Sequence, residues 1–439
     1  MDTLDFIHDL QWSDLPAEVQ KQAELNLLDL TGIGIAAAPL RASRIACGYV
    51  SVQNAGPHPM LFDARTASAP GVAHAAAVTI DALDGHDGFN PAKGHAGACA
   101  LPAAFAMAHE AGNMDGTAFL TAIVLGYELG CRLALALHGS VPEYHTSGAW
   151  GAVAAAGIGA RYLGLGREAS RHALGIAEYH GPRSQMMRCI DHPTMVKDGS
   201  GWGAMSGVSA ALLAQAGFTG APALTVEEVH APWHDLGQRW LTLEQYYKPW
   251  PVCRWAHGPI GGVLELRARH GVSADQVDHI GVETFAQSVR LATAEPRLTD
   301  EAQYSTSFPS AVALVRGDVT PADLVEEALD HPEVLRLSRS MVMEEHDRAN
   351  AAFPDTRLSR TRLVLKDGTV LQGDWMEPKW DASAPPSEKE LRSKFRRLAG
   401  DLAKPVEAAV SALPTEGLAP LTRLLNQPIS RETTRSSSS

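Results

Sequence analysis

The sequence is poor in aromatic residues and in cysteine. The first shortage argues against a β-rich fold, and the second argues against a disulfide framework. Aromatic residues account for 6% of its 439 residues, whereas glycine occurs 39 times. This composition favours closely packed helices over a β-rich fold. The cysteines are odd in number and widely spaced, and no two form a CxxC pair: Cys47, Cys99, Cys131, Cys189 and Cys253. We therefore expect reduced thiols and a cytoplasmic protein, rather than a disulfide framework.

Positive charge is also in short supply. Lysine and arginine total 37 against 50 aspartates and glutamates, which gives a formal net charge of −13. An acidic chain repels nucleic acid and anionic membranes, so neither is an expected partner. An anionic small molecule would have to be bound by a local cluster of Arg, Lys and His against this overall field.

The N-terminus lacks the basic and apolar regions of a signal peptide, so none is predicted. The chain also lacks an uncharged apolar run of membrane-spanning length. Its most apolar segment, Ala118–Leu137, contains Glu128 and Arg132. Two charges within this segment predict a buried core helix rather than a membrane span.

Apolar residues at helical spacing dominate the first part of the chain and predict a large all-helical domain over residues 1–260. The predicted helices are Val19–Ile35, Gly71–Asp84, Ala98–Ala111, Gly116–Leu137, Ala149–Leu163, Arg167–Glu178 and Ala204–Ala216. Small residues cover several of their faces. Because a glycine within a helix costs about 1 kcal/mol relative to alanine, their abundance indicates close helix packing or a nearby site.

The pattern changes after residue 260. Val277–Phe285 alternates apolar and polar residues, as a half-buried strand does, and helices are predicted at Ser307–Val315 and Pro321–Leu329. Asp367-Gly368 predicts the tight turn of a hairpin. Residues 261–385 therefore predict a smaller α/β domain, after which a helix returns at Glu388–Leu398. The polar tail, residues 430–439, is predicted to be disordered.

The first segment with functional potential is the loop of residues 81–95, which holds three carboxylates, two imidazoles and a lysine. Its glycines and proline are typical of a functional loop on a rigid scaffold, and a solvated acidic loop is the alternative. Asp84, His86 and His95 are its candidate site residues, because they lie between apolar helices. The spacing matches no standard metal motif, so we expect no metal.

The second segment, residues 143–151, opens a Gly/Ala-rich helix, whose N-terminus would attract a carboxylate. Tyr144, next to His145, is a candidate base if nearby cations stabilise its phenolate. A capping Thr or Ser with an aromatic side chain in the core is the alternative. This segment by itself does not decide between the two.

Two later segments carry positive charge. Arg183 and Arg188 are candidate clamps for carboxylates, and Lys197 follows them in a Gly-rich turn, where a desolvated lysine is usable as a base. A surface loop with solvated charges is the alternative. Lys248 and Arg254 lie between the two predicted domains, where ligand clefts are common. A structural linker is the alternative for this last segment.

These four segments, in this order, resemble the MmgE/PrpD family. The resemblance extends to nearly the whole chain, and the ordered set is more specific than any single motif. It rests on Asp84 to Gly97, on His145-Thr-Ser147 before a Gly/Ala helix, on Lys197, on the Lys-x-aromatic-Pro-x-Cys-x-x-x-His string from Lys248 to His257, on Glu301–Ser305 and on the Lys366-Asp-Gly hairpin.

The resemblance implies a mainly α fold: a large all-helical domain completed by helices within residues 386–429, plus the smaller α/β domain as a lid. It also implies a homodimer, no cofactor and a small-molecule di- or tricarboxylate substrate. Family activities include 2-methylcitrate dehydration, cis-aconitate decarboxylation and iminodisuccinate epimerisation. All of them pass through a carbanion-like state beside a carboxylate, which Arg, Lys and His stabilise.

Departures from the family pattern favour the epimerase branch. The first block lacks the threonine that is usual in dehydratases and decarboxylases, and a tyrosine replaces the common phenylalanine before His145. In that branch a tyrosine and a lysine act as two bases, so the resemblance assigns this role to Tyr144 and Lys197. His145 and the loop residues would orient the substrate, and the Arg and Lys candidates would hold its carboxylates. A lyase of the same family is the alternative, followed by a non-catalytic carboxylate-binding protein and a metal hydrolase.

Overall fold

Helix follows helix through the first half of the computed structural model, which describes residues 2–430. These helices are α1 Thr3–Asp9, α2 Ala17–Ala37, α3 Arg41–Gln53, α4 Ala69–Asp81, α5 Gly97–Glu110, α6 Gly116–Ser140, α7 Ser147–Tyr162, α8 Arg167–His180, α9 Met186–Asp191, α10 Ser200–Gln215 and α11 Leu224–Glu227. Two short strands, β1 His58–Pro59 and β2 Thr66–Ala67, pair antiparallel before α4. The predicted mainly α fold is confirmed.

Glycines allow α7 and α10 to pack closely. A Cβ on Gly207 of α10 would lie 2.2 Å from the Ala152 carbonyl oxygen of α7, and one on Gly203 would lie 2.6 Å from that of Gly148. The backbone nitrogen of Gly148 also donates to the Asp198 carbonyl at 3.0 Å. Close packing therefore brings the N-termini of both helices to one place, together with the turn that carries Lys197 and Asp198.

The core of the first part is crossed by α6. By length and composition α6 is suited to cross a membrane, and in the described chain only the pair α2–α3, bent by 92°, passes the same test. Inside the protein, however, 94% of the most apolar stretch of α6 is buried. Its two charges pair with each other, with Arg132 Nη1 donating to Glu128 Oε2 at 2.8 Å. The prediction of a core helix is confirmed.

The second part combines helices with a four-stranded sheet. Its elements are α12 His257–His270, β3 Val277–Thr284, α13 Ala286–Val289, α14 Thr299–Gln303, α15 Ser307–Arg316, α16 Pro332–Arg339, β4 Val342–Glu345, α17 Asp347–Ala352, β5 Ser359–Leu365 and β6 Val370–Met376. The strand order is β4-β3-β5-β6, with β3 parallel to β4 and the other pairs antiparallel. The predicted strand at 277 and the hairpin at Asp367-Gly368 are confirmed.

The helix predicted over Pro321–Leu329 is wrong. This stretch forms two separate 3₁₀ turns, Pro321–Asp323 and Glu326–Ala328. The Asp323 carboxylate folds back to accept from the Thr320 backbone nitrogen at 2.9 Å, which closes the first turn. Leu324 then leaves the helical conformation at φ −112°.

Four C-terminal helices return to the first part of the chain: α18 Glu388–Ala399, α19 Ala403–Ser411, α20 Leu413–Glu416 and α21 Ala419–Leu425. Ser387 caps α18, which begins where the sequence predicts. Phe395 of α18 fits against Gly32 of α2, where a Cβ would lie 2.9 Å from its ring. Lys394 Nζ donates to Asp29 Oδ1 and to the Gly85 carbonyl, both at 2.6 Å. The C-terminal helices therefore fix the loop that contains Asp84.

Buried apolar residues form two large separate cores. One joins the N-terminal helices with α18–α21, and the other lies between residues 250 and 363. The domain limits given from the sequence (1–260 with 386–429, and 261–385) stay predictions. So does the homodimer, although exposed Ile45, Tyr49, Val196 and Trp202 border one apolar groove. Of the tail predicted to be disordered, residues 431–439 lie outside the described residues.

Candidate active site

The loop after α4 folds inward instead of facing solvent. The Gly88 backbone nitrogen donates to the Tyr246 carbonyl at 3.0 Å, and the Tyr246 nitrogen returns a bond to the Gly88 carbonyl at 2.8 Å. Asp84, His86 and His95 are 3%, 1% and 6% exposed. The alternative of a solvated acidic loop is therefore wrong for these three side chains.

An ion pair lies at the centre of this loop. The Lys248 ammonium contacts Asp84 Oδ1 and also donates to the Asp84 carbonyl oxygen at 3.3 Å. Burial by itself would raise the pKa of Asp84, but the neighbouring basic groups, Lys248 foremost, together outweigh burial and lower it. Burial likewise opposes the charge on Lys248, and the Asp84 carboxylate raises the pKa of that lysine. Both groups are therefore charged at neutral pH.

Two histidines beside this pair are uncharged at neutral pH. Burial, assisted by the Lys248 charge, lowers the pKa of His86 to about 3, and burial lowers the pKa of His95 well below its ordinary value. His95 Nδ1 contacts the Asp87 carbonyl oxygen, which only accepts, so the ring proton lies on Nδ1. His95 Nε2 is thereby left as an acceptor, 3.4 Å from Asp198 Oδ2.

Asp198 is a carboxylic acid with a proton to give. Burial, together with the neighbouring Asp81 and Asp84 carboxylates, raises the pKa of Asp198 to about 8. At neutral pH it therefore faces the acceptor nitrogen of His95 in its protonated form. Paired titratable groups of this kind are typical of sites that move protons.

Donor atoms of Asp84, His86 and His95 lie within 4.8 Å of one another, and this is the only such group in residues 2–430. A carboxylate and two neutral imidazoles are donor types that suit a divalent cation. The Lys248 ammonium, however, already lies against Asp84 and would repel a metal ion. The chemistry of this cluster therefore fits lysine as its cation.

Lys197 is buried in a second cluster beside the loop. Its ammonium donates to Gln303 Oε1 at 2.7 Å, lies 3.4 Å from Asp300 Oδ1 and sits 4.8 Å from the centre of the Tyr304 ring. The same Gln303 oxygen accepts from the Asp84 backbone nitrogen at 2.9 Å. Gln303 of α14 thus ties the lysine of the first part of the chain to the Asp84 loop.

Lys93 and Tyr144 form a comparable contact. Lys93 ends a 3₁₀ turn in the left-handed conformation (φ +53°), and its ammonium lies 4.3 Å from the centre of the Tyr144 ring. Burial and the neighbouring Arg357 lower the pKa of Lys93 to about 8. A lysine with that pKa holds a useful fraction of neutral amine near physiological pH.

A cavity of about 40 Å³, partly open to solvent, connects these clusters. Its charged, imidazole and phenol lining residues are Asp84, Lys93, His95, Asp198, Tyr246, Lys248, Arg254, Tyr304 and Arg357. Neutral proton carriers and cations thus surround one space, which is what chemistry on a small carboxylic acid requires.

The candidates named from the sequence differ in their distance from this cavity. Asp84, His95, Lys248 and Arg254 line it. His86 contacts His95, with ring centres 4.2 Å apart, and Lys197 contacts Tyr304. The remaining four lie outside the lining: Tyr144, His145, Arg183 and Arg188.

These four residues have other surroundings. Tyr144 is 36% exposed beside Lys93, and His145 Nδ1 is 3.1 Å from the Glu143 carbonyl. Arg183 is 3.5 Å from Glu178, and Arg188 is exposed. Their assignments stay predictions.

Several residues that line the cavity were not predicted from the sequence to be site residues. Lys93 and Tyr304 fall inside segments that had been singled out, so their chemistry was visible but their role was not. Asp198 directly follows Lys197 in such a segment, whereas Tyr246 and Arg357 had no such signal, because ordinary turn and loop residues surround them in the sequence. Their burial depends on contacts with distant parts of the chain.

The helical part and the sheet-containing part of the chain both contribute residues to one cavity that is rich in cations. The chain belongs to the MmgE/PrpD family: the MmgE/PrpD N-terminal domain matches residues 2–230, and the MmgE/PrpD C-terminal domain matches residues 250–414. The family resemblance drawn from the sequence is confirmed.

The chain is similar to proteins that are named cis-aconitate decarboxylase or cis-aconitate decarboxylase-like. The cis-aconitate decarboxylase of Aspergillus terreus is 24% identical over 491 residues, which cover 96% of this chain and 94% of that protein. A cis-aconitate decarboxylase-like protein of Aspergillus oryzae is 24% identical over 456 residues, covering 90% and 89%. The mouse cis-aconitate decarboxylase is 23% identical over 462 residues, covering 96% and 92%.

Proposed function

We propose that this chain is a cofactor-independent epimerase of a small dicarboxylate such as iminodisuccinate. The observation behind this proposal is the presence of two lysine–tyrosine contacts at one cavity. Lys93 lies on Tyr144, and Lys197 lies on Tyr304. Two-base epimerisation needs one group to remove the substrate proton and a second group to return it, and each contact supplies one of them.

Backbone strain supports a functional role for both lysines. Lys93 and Lys197 have φ angles of +53° and +49°, a region that residues other than glycine seldom adopt. Such a conformation costs about 1–3 kcal/mol and tends to persist where function requires it. Each contact also includes one residue that the family resemblance assigned as a base: Tyr144 in the first contact and Lys197 in the second.

In the proposed reaction, neutral Lys93 removes the hydrogen of the carbon beside a carboxylate. The C–H electron pair moves into the carboxylate to give an enediolate, whose charge the Lys248 ammonium stabilises. The Tyr304 phenol then returns a proton to the same carbon. Burial raises the pKa of Tyr304 well above its ordinary value, so the phenol holds a proton to donate. The reverse reaction exchanges the two roles.

A lyase is the second candidate, and the names of the relatives favour it. In a decarboxylation the bond between the carboxylate and its carbon breaks instead, CO₂ leaves, and the resulting carbanion takes the proton from the same donor. The cationic cavity serves both reactions, so the products must decide between them.

Proton NMR in deuterium oxide separates these candidates. The purified protein is incubated separately with iminodisuccinate, cis-aconitate and 2-methylcitrate. We expect deuterium at the α-carbon of iminodisuccinate and interconversion of its stereoisomers. Loss of CO₂ from cis-aconitate, or an alkene formed from 2-methylcitrate, would assign the protein to the lyases. No change in any of the three would contradict both candidates.

A pH profile tests the role of Lys93. Because the pKa of Lys93 is lowered to about 8, the fraction of neutral amine falls tenfold for each pH unit below that value. We therefore expect kcat/KM to rise with a slope of one up to about pH 8 and then to level off. The Lys93→Arg variant should lose this rise, because a guanidinium stays charged throughout the range.

The surroundings of Lys93 make the profile interpretable. Arg357 lowers the pKa of Lys93, and Asp355 opposes that effect. The pKa of His138 is lowered to about 4, chiefly by burial, so this imidazole stays neutral throughout. Burial and the neighbouring carboxylates raise the pKa of Asp198 to about 8 as well. A rise that persists in Lys93→Arg but disappears in Asp198→Asn would assign the profile to Asp198 and contradict the role of Lys93.

A further inference from the structure

We propose that Arg357, in the α/β domain, binds the substrate carboxylate that remains unchanged in the reaction. This inference rests on the proposed function and names a residue that fixes its substrate class. Arg357 lies two residues before β5, is 4% exposed and lines the cavity. Its position makes the α/β domain part of the binding site rather than a cover over it.

The guanidinium of Arg357 has donors that nothing in the described chain uses. Nη2 donates to the Asn90 carbonyl at 3.3 Å, whereas Nε and Nη1 are buried without a hydrogen-bond partner. Buried donors without partners carry a large desolvation cost. A carboxylate accepts a bidentate pair from Nε with Nη2 or from Nη1 with Nη2, and Nη2 carries a second N–H group, so either free donor of Arg357 can form such a pair together with Nη2.

The ion pairs near Arg357 also support a substrate carboxylate as its partner. No carboxylate oxygen of residues 2–430 lies within the 4.0 Å ion-pair distance of Arg357. The nearby Asp381 is held by other groups, since it lies 3.2 Å from Arg254 Nη2 and accepts from Asn90 at 2.8 Å. A buried guanidinium cannot shed its proton, so an anion from outside the protein is the remaining partner.

Lys248 and Arg254, two of the other cations at the cavity, already have protein partners. Lys248 pairs with Asp84. Arg254 donates from Nη1 to two backbone carbonyls, at 3.0 and 2.7 Å, and from Nη2 to Asp381, which leaves only its Nε free. Arg254 therefore acts mainly as a structural tie between backbone segments. Among the lining arginines in residues 2–430, Arg357 is the one with a free pair of donors.

One consequence concerns substrate choice. If Arg357 holds one carboxylate while a second lies at the reacting carbon, a dicarboxylate gains an ion pair that a monocarboxylate of equal length lacks. Losing charge-assisted bonds in a buried site weakens binding by about 10- to 100-fold. Arg357 would thus set the preference for dicarboxylates.

Isothermal titration calorimetry with two unreactive probes, succinate and butyrate, tests this assignment in the full chain. We expect the unsubstituted protein to bind succinate more tightly than butyrate. Arg357→Gln should weaken succinate binding about 10- to 100-fold and leave butyrate binding nearly unchanged. The matched control is Arg360→Gln, because Arg360 lies on the nearby strand β5 and pairs with Glu283 at 2.5 Å, outside the cavity. Its succinate affinity should equal that of the unsubstituted protein.

Several outcomes would overturn the proposal. These are equal affinities of the unsubstituted protein for succinate and butyrate, no succinate binding at all, or unchanged succinate binding by folded Arg357→Gln. If circular dichroism shows that Arg357→Gln is unfolded, Arg357→Lys decides instead. It keeps the charge but not the paired donors, so we expect weaker succinate binding, and equal binding would contradict the assignment.

The titration also separates this inference from the proposed function. Neither probe reacts, so their binding does not depend on turnover. A succinate preference that disappears in Arg357→Gln would support the carboxylate site even if iminodisuccinate, cis-aconitate and 2-methylcitrate all stayed unchanged. If Arg357→Gln converted iminodisuccinate with the same kinetics as the unsubstituted protein, the epimerase proposal would be supported. Arg357 would then have no role in that reaction.

Discussion

Replacing Asp84 with alanine is expected to lower the free energy of unfolding by about 3–5 kcal/mol, because it leaves a buried charge without its partner. Lys248 is 1% exposed, and besides the Asp84 carboxylate its ammonium has only the Asp84 carbonyl as a hydrogen-bond acceptor within residues 2–430. The midpoint of thermal or denaturant unfolding measures the loss. We also expect the variant to be inactive, since Asp84 lines the cavity.

Two further variants show whether the unpaired lysine causes the loss. Replacing both partners of a buried pair with apolar residues is often nearly neutral, so Asp84→Ala with Lys248→Met should recover much of the stability. Asp63→Ala removes an Asp partner from Arg65 near the surface, where the two are 2.7 Å apart. That change should cost about 1 kcal/mol or less. A double variant as unstable as Asp84→Ala would mean that the lost stability has another origin.

Tyr304→Phe is expected to slow the interconversion of substrate stereoisomers by about 10²- to 10⁴-fold, the usual contribution of one positioned acid or base. The same variant should still exchange the α-proton of one stereoisomer with solvent, because Lys93 can remove that proton and return it to the same face. Lys93→Met should show the complementary defect, with exchange retained only for the other stereoisomer. NMR in deuterium oxide, starting from each stereoisomer, records both rates.

Tyr144→Phe and Lys197→Met test the two bases that the family resemblance assigned. Each is expected to reduce interconversion through its contact with a cavity-lining partner. Exposed residues provide matched controls, since Tyr179→Phe and Lys404→Met should keep full activity. If Tyr144→Phe abolishes one exchange reaction while Tyr304→Phe does not, Tyr144 itself is the base. If the four site variants (Lys93→Met, Tyr144→Phe, Lys197→Met and Tyr304→Phe) all interconvert the stereoisomers normally, the two-base mechanism is wrong.

Local patterns in the sequence determined most of the secondary structure, because helices and tight turns form between residues close in the chain. The apolar spacing of residues 116–137 predicted α6, and the positive φ that Gly368 supplies (+89°) predicted the hairpin of β5 and β6. The helix predicted at Pro321–Leu329 did not form, because the Asp323 carboxylate accepts a hydrogen bond from the Thr320 backbone nitrogen and closes a single turn. Short polar caps compete with helix extension, and spacing alone does not reveal which of them forms.

The candidate site was predictable only as a set of segments. Asp84, His95, Lys248 and Arg254 were named from the sequence and line the cavity. Lys93, Tyr304 and Arg357 were not assigned a role, because what distinguishes each of them is a neighbour far along the chain. Lys93 lies beside Arg357, more than 260 residues away, and Lys197 is held by Gln303, which is 106 residues distant.

By itself, then, the sequence determined the family, the mainly α fold and the residue types available for acid–base chemistry. Only the tertiary structure decided which charges are engaged and which are free. Arg254 and Arg357 are equivalent in chemistry, yet backbone carbonyls occupy most donors of the first and leave two donors of the second without a partner. The physical reason is that burial and pairing determine what an ionisable group does, and both arise from contacts between segments that are distant in sequence.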